Sequence, residues 1–178
     1  MGILSRIFGK ERPEFKDAER VYAACLKQSR GHAFYGEGKM PDTYEGRVDC
    51  LTLHLAPIMR RLNMTDENGK KLSQAIFDAM VDDFDIALRG EGLTDTGVSR
   101  RIKPIVAHFY ARLKAYNEGF GSEDPSGELE SALKAGQLSD ANKDYVSGLT
   151  TYIMNLENTL RDKNVGDIAQ MNYEFPEL

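Results

Sequence analysis

Two histidines in this chain each stand in line with arginines at helical spacing. Arg47, His54 and Arg61 recur every seven residues, and Arg101, His108 and Arg112 repeat the arrangement further on. Seven residues are close to two helical turns, so each set borders one helix edge. Imidazole beside guanidinium is a pairing suited to haem ligation or to capture of an anionic headgroup or substrate. The alternative is that His54 and His108 are boundary residues hydrogen-bonded within a helical bundle. Spacing within each helix does not bring the two imidazoles together, and no CxxCH run is present.

Asp83 is the other residue that asks for an explanation. On a helical wheel it projects from an apolar arc, between Ala79, Met80, Ile86 and Ala87. A carboxylate there must be paired, protonated or facing a cleft, since an unpaired buried charge is prohibitively costly. Arg47 is the expected partner in a structural ion pair, and Arg101 also qualifies. The other reading is a catalytic acid or a metal ligand. Asp78, Asp82 and Asp85 lie close by, but they share the polar side of that helix and no histidine accompanies them there, which reads as a solvated acidic surface rather than a metal site. No Ser/His/Asp arrangement, nucleophile elbow or HExxH stands out, so neither catalytic residues nor metal or other cofactor is expected.

These residues must be positioned by helices. Apolar residues recur at helical spacing over Glu14 to Arg30, and again from Thr43 to Leu62, where Asp42 and Glu45 suggest a capping box. In that second segment Tyr44, Val48, Leu51, Leu55, Ile58, Met59 and Leu62 fall on one narrow arc. Pro57 lies deep inside it and predicts a kink near Leu53 to Pro57. A third helix is expected over Gly69 to Arg89, and a fourth carrying Val98, Ile102, Ile105, Phe109, Leu113 and Tyr116. A short helix follows over Glu128 to Ala135, then a long one capped by Ser139 or Asp140, and a last turn over Asp167 to Asn172. Neither β alternation nor a hairpin signal appears at length. The fold class is therefore all-α, a single-domain bundle of about six or seven helices over residues 14–172, preceded by a flexible segment, 1–13, and followed by a tail, 173–178.

With 178 residues the chain suits one domain with a real core. A formal net charge of −5 with interspersed signs argues against DNA as a partner. Cys25 and Cys50 are the only cysteines and both fall in helical patterns, which fits a reducing cytoplasm better than a disulfide framework. No stretch has the length and apolarity of a membrane span. The opening residues place Ile3, Leu4, Ile7 and Phe8 among Arg6, Lys10 and Arg12, as a short membrane-surface helix would, the alternative being a frayed terminus. Gly36-Glu37-Gly38-Lys39 lacks the spacing of a phosphate-binding loop and no strand precedes it.

The run YGEGKMPDTYEGRVDCLTLHLAPIMRRL, continued by QAIFDAMVDDFDIALRGEGLTDTGVSRRIK and by HFYARLKAY, resembles the ubiquinol-cytochrome c chaperone family. The resemblance extends from about His32 to about Tyr116, and more loosely to the closing FPEL. It implies an assembly chaperone that binds newly made cytochrome b, or another bc1 subunit, at the membrane surface. It further implies a small helical co-chaperone and a ribosome or membrane contact, and places the protein in the cytoplasm or peripherally on the inner face of the bacterial inner membrane. Such a client needs an apolar, adaptable surface with a polar rim. The candidate client- and partner-binding residues are Tyr35, Lys39, Met40, Tyr44, Arg47, Arg60, Arg61, Arg100 and Arg101. Met59, Met64, Met80, Phe84 and Tyr110 also belong to the groove search, each with plain core packing as its alternative. A second functional class, a haem or anionic-lipid binder, would use His54, His108 and Arg112.

Overall fold

The segment Tyr44–Asn63 sets the architecture, because more of its circumference is apolar than its one-face pattern suggests. Leu53, Leu55, Ala56, Ile58 and Leu62 are all fully buried, as is Cys50. A helix with side chains buried on most sides belongs in the middle of a bundle. The computed structural model, which describes residues 13–178, places it there. In chain order the helices are α1 (Pro13–Ser29), α2 (Tyr44–Asn63), α3 (Glu67–Gly90), α4 (Asp95–Phe120), α5 (Pro125–Ala135), α6 (Lys143–Leu160) and α7 (Val165–Ala169), with a 3-10 turn at His32–Phe34. Helices α1, α3, α4 and α6 all pack on α2. Among the described residues no strand forms, only an isolated bridge between Tyr35 and Met40. The all-α expectation holds, whereas the single narrow arc for α2 was too restrictive. The amphipathic pattern at Ile3 to Phe8 lies outside the described residues.

Helix starts follow local chemistry. Thr43, not Asp42, caps α2: its side chain accepts from the Gly46 amide at 3.2 Å. Asp42 instead takes Arg47, with Nε to Oδ1 at 2.6 Å. Asp66 caps α3 through the amides of Asn68 and Gly69. Helix α5 begins before the expected Glu128, because Pro125 is preset for the first turn and Asp124 accepts from Gly127. Asn142, rather than Ser139 or Asp140, caps α6. Pro57 is buried within α2, which continues past it to Asn63 although the Leu53 carbonyl loses its helical donor.

The loop between α1 and α2 is folded back on the bundle. Gly36 and Gly38 have φ of 139° and 68°, values that side chains with a Cβ rarely adopt. Their turns bring the Met40 amide to the Phe34 carbonyl at 3.2 Å and carry the Met40 side chain inward, where it is 1% exposed. The Asn142 amide donates to the Gly38 carbonyl at 2.7 Å, which ties the loop to the start of α6.

Candidate functional site

A cleft of about 340 Å³ opens where the first turns of α2 meet the last turn of α3 and the middle of α4. Its wall is apolar: Val48, Leu88 and Ile105 reach it from the core, and Tyr44 and Pro104 from the surface. Tyr44 is 43% exposed although its ring leans towards Phe84, with centroids 6.4 Å apart. An aromatic side chain exposed this much beside an apolar hollow is what a docking surface presents. Glu45 stands on the α2 lip, and Arg101 and His108 on the α4 side. Pro104 has no N–H, so the Arg100 carbonyl one turn back also lacks its helical donor.

His108 connects the cleft to the interior. Its Nε2 donates to Oδ1 of Asp49, a carboxylate only 2% exposed on α2. The other oxygen, Oδ2, accepts from the Gln137 amide at 2.9 Å, in the turn after α5. Arg112 completes the charge balance, its Nε lying 3.7 Å from Asp49 Oδ1. The Arg112 guanidinium also donates to the Ala132 carbonyl at 2.7 Å and to the Tyr116 hydroxyl at 3.0 Å, and stacks at 4.9 Å on the Tyr116 ring. Three helices and a turn thus meet on one buried ion pair, which requires close approach at Gly136. A Cβ there would come within 2.9 Å of Arg112 Cζ.

Asp49 did not stand out in the sequence, whereas Asp83 did. The structure corrects the Asp83–Arg47 pair: Asp83 is half-buried and accepts from the Tyr22 hydroxyl of α1 at 2.8 Å, while Arg47 is exposed and bound to Asp42. The Asp83 carboxylate holds the Tyr22 proton in place, and burial with that contact pushes the phenol well above its ordinary range. Asp82, on the outer side of α3, has its carboxyl raised by partial burial and by Asp78 and Asp85.

The ligand-binding trio is also corrected. His54 is fully buried, with Nδ1 donating to the Cys50 carbonyl at 2.7 Å and Nε2 accepting from the Tyr152 hydroxyl at 2.9 Å. Both nitrogens are occupied, so no lone pair is left for iron, and burial lowers its pKa to about 4. Phe34, Tyr152 and, from the C-terminal residues, Phe175 pack edge-on against the imidazole. Arg112 is 5% exposed and committed to Asp49 and Ala132, which leaves it unable to receive a headgroup. His54, His108 and Arg112 therefore do not form one site.

Of the remaining candidates, the structure brings only Tyr44 and Arg101 to the cleft. Met40, Met59, Met80 and Phe84 are core residues. Met64 at 64% and Tyr110 at 47% are exposed, but neither lines the cleft. The Tyr35 hydroxyl donates to Ser29 O at 2.7 Å, and exposed Lys39 reaches Ala33 O at 3.1 Å. Arg60 lies over the Phe120 ring, and Arg61 donates to Lys163 O at 2.8 Å, both in structural roles. Arg100 is exposed on the outer side of α4. Val48 and Ile105, which line the cleft, had been placed only on the apolar faces of their helices.

Comparison with known proteins covers most of the chain. The sequence model of the family described as ubiquinol-cytochrome C chaperone matches residues 37–175. A Homo sapiens protein named ubiquinol-cytochrome c reductase complex assembly factor 1 is 26% identical over 107 residues, which are 60% of this chain and 36% of that protein. The Xenopus laevis protein of the same name is 23% identical over 107 residues, or 60% of this chain and 54% of that one. The matched stretch thus spans only about a third to a half of these curated relatives. The crystal structure of the Cbp3 homolog from Brucella abortus superposes with a TM-score of 0.77 at 26% identity, covering 98% of this chain and 97% of that one.

Proposed function

The chain belongs to the ubiquinol-cytochrome c chaperone family, and we propose that it holds newly made cytochrome b during assembly of the bc1 complex, binding its client without catalysing a reaction. The observation that carries this reading is the apolar cleft beside the exposed ring of Tyr44. A nascent membrane protein exposes apolar helical segments that aggregate in water, and an apolar hollow with a polar rim is the surface that shields one of them. The neutral, buried His54, with both ring nitrogens engaged by Cys50 and Tyr152, favours client binding over haem binding.

The protein works, in this reading, against the inner face of the membrane that receives cytochrome b. Contact in this reading is peripheral; among the described residues no helix is long and apolar enough to cross a membrane. Arg100, Arg101 and Lys103 on the exposed side of α4 are the cations that would meet acidic headgroups or ribosomal RNA. A small helical co-chaperone remains part of the proposal by family membership. Deleting the gene in the source organism tests it: assembled bc1 complex should fall while cytochrome b transcript persists. An undiminished complex would refute the proposal.

A further inference from the structure

The two lips of the cleft carry opposite charges that no described residue neutralises. Glu45 on the α2 side makes no ion pair or side-chain hydrogen bond among the described residues, and neither does Arg101 on the α4 side. Two neighbouring arginines are already matched, Arg47 by Asp42 and Arg89 by both Asp85 and Asp95, so neither is available to Glu45. Tyr44 stands beside Glu45 on the α2 lip, and of the charges acting on its hydroxyl Glu91, just after α3, and Glu45 raise its pKa while Arg101 lowers it. The floor between the lips, Val48 and Ile105, is apolar and carries no charge to settle the balance.

From this arrangement we infer that the cleft reads direction: it takes an apolar helical segment whose face carries an acidic side chain towards α4 and a basic one towards α2. The inference rests on the chaperone reading and specifies its client's chemistry. Apolar burial into Val48 and Ile105 supplies affinity but is indifferent to orientation. Rim charges in water add little affinity, yet like charges set face to face exclude the reversed pose, which is how charge patterns confer specificity. His108 stands on the same α4 side with its Nε2 already donating to Asp49, which leaves Arg101 as the donor free to receive an acidic group. The acidic group of the bound segment thus meets Arg101, with the His108 ring beside it.

The test uses two host peptides of one amphipathic helix, identical except that a Glu and a Lys bracketing a Leu-Phe apolar face are exchanged. Binding to the full chain is followed by fluorescence anisotropy at low and high salt. The peptide in the matching order should bind roughly fivefold more tightly than its reverse, with the preference fading as salt rises. In the double variant Glu45→Lys, Arg101→Glu the preference should invert, while the protein stays folded with at most a small fall in thermal midpoint, because both side chains are exposed and the exchange costs only the favourable charge of Glu45 in the first turn of α2. Equal binding of the two peptides, or a preference that survives the charge exchange, would overturn the inference. Should both peptides bind equally and cytochrome b still be captured from membranes, directional reading fails and the chaperone reading stands. Should neither peptide bind and nothing be captured, both fail together.

Discussion

Asp49 and Arg112 face each other in the interior at 3.7 Å, one on α2 and the other on α4, with side-chain exposures of 2% and 7%. Neither charge has another opposite charge at such depth. His108 and the Gln137 amide supply the hydrogen bonds that make the carboxylate tolerable there, and Ala132 and Tyr116 do the same for the guanidinium. Because His108 also lines the cleft, this pair is the rigid support behind the α4 side of the surface.

Removing one partner leaves the other charge buried alone. Asp49→Ala should therefore destabilise the fold by about 3–5 kcal/mol, measured by urea denaturation, and Asp49→Asn by less, since its amide oxygen can still accept from Gln137. A midpoint within error of the wild type for Asp49→Ala would show that the interior does not depend on this pair.

The Asp83 contact is of a different kind. Tyr22→Phe removes one hydrogen bond to a carboxylate that retains some access to water, so a loss of about 1–2 kcal/mol is expected. Arg47→Ala disturbs only an exposed pair and should change stability by a few tenths of a kcal/mol at most. In a double-mutant cycle, Asp83→Ala and Arg47→Ala should be additive. A coupling above about 1 kcal/mol would mean that these two side chains do interact.

His54 gives a pH dependence whose sign follows from its burial. Its pKa is about 4 in the folded protein against an ordinary value of 6.5, so between these values the unfolded chain binds more protons than the folded one. Stability should accordingly rise with pH across that window and be lost as pH falls from 6.5 towards 4, by about 3 kcal/mol in total. His54→Gln keeps the polar contacts without titrating. The difference between its stability profile and that of the wild type should show this slope; parallel profiles would mean that His54 titrates normally in the fold.

The two thiols should be silent. Cys25 and Cys50 are buried, and burial pushes both thiols upward, Cys50 to about 12, so neither forms thiolate near neutral pH. Ellman's reagent should label neither in the native protein and both after unfolding in guanidinium. Rapid labelling of the folded protein would indicate that the α1–α2 contact opens.

Much of the scaffold could be read from the chain because helical periodicity is local. The apolar positions Val48, Leu51, Leu55, Ile58 and Leu62 identified α2, and its neighbours were found in the same way. The polar interior was less legible because it is assembled at long range. Asp49 lies 59 residues from His108 and 88 from Gln137, so nothing near it in sequence announces its partners. Asp83 attracted attention through its apolar neighbours, but its partner is the hydroxyl of Tyr22, 61 residues away on α1. Met40 was named as a client-binding candidate, with core packing as its alternative, and core packing is what the structure shows. The turn at Gly36 and Gly38 is what directs it inward. The cleft itself combines side chains from three helices, of which Tyr44 and Arg101 had been singled out for client binding and His108 for a ligand.

The central claim is that the cleft beside Tyr44 holds cytochrome b, and affinity capture tests it most directly. The tagged chain and its Tyr44→Ser variant are recovered from their own membranes in mild detergent, and bound proteins are quantified by mass spectrometry. Tyr44 is half exposed, so the variant should keep its thermal midpoint within a few degrees. The account expects cytochrome b to be enriched with the wild type and several-fold less with Tyr44→Ser. No enrichment of any bc1 subunit with the wild type, or equal recovery of cytochrome b by a folded Tyr44→Ser variant, would contradict it.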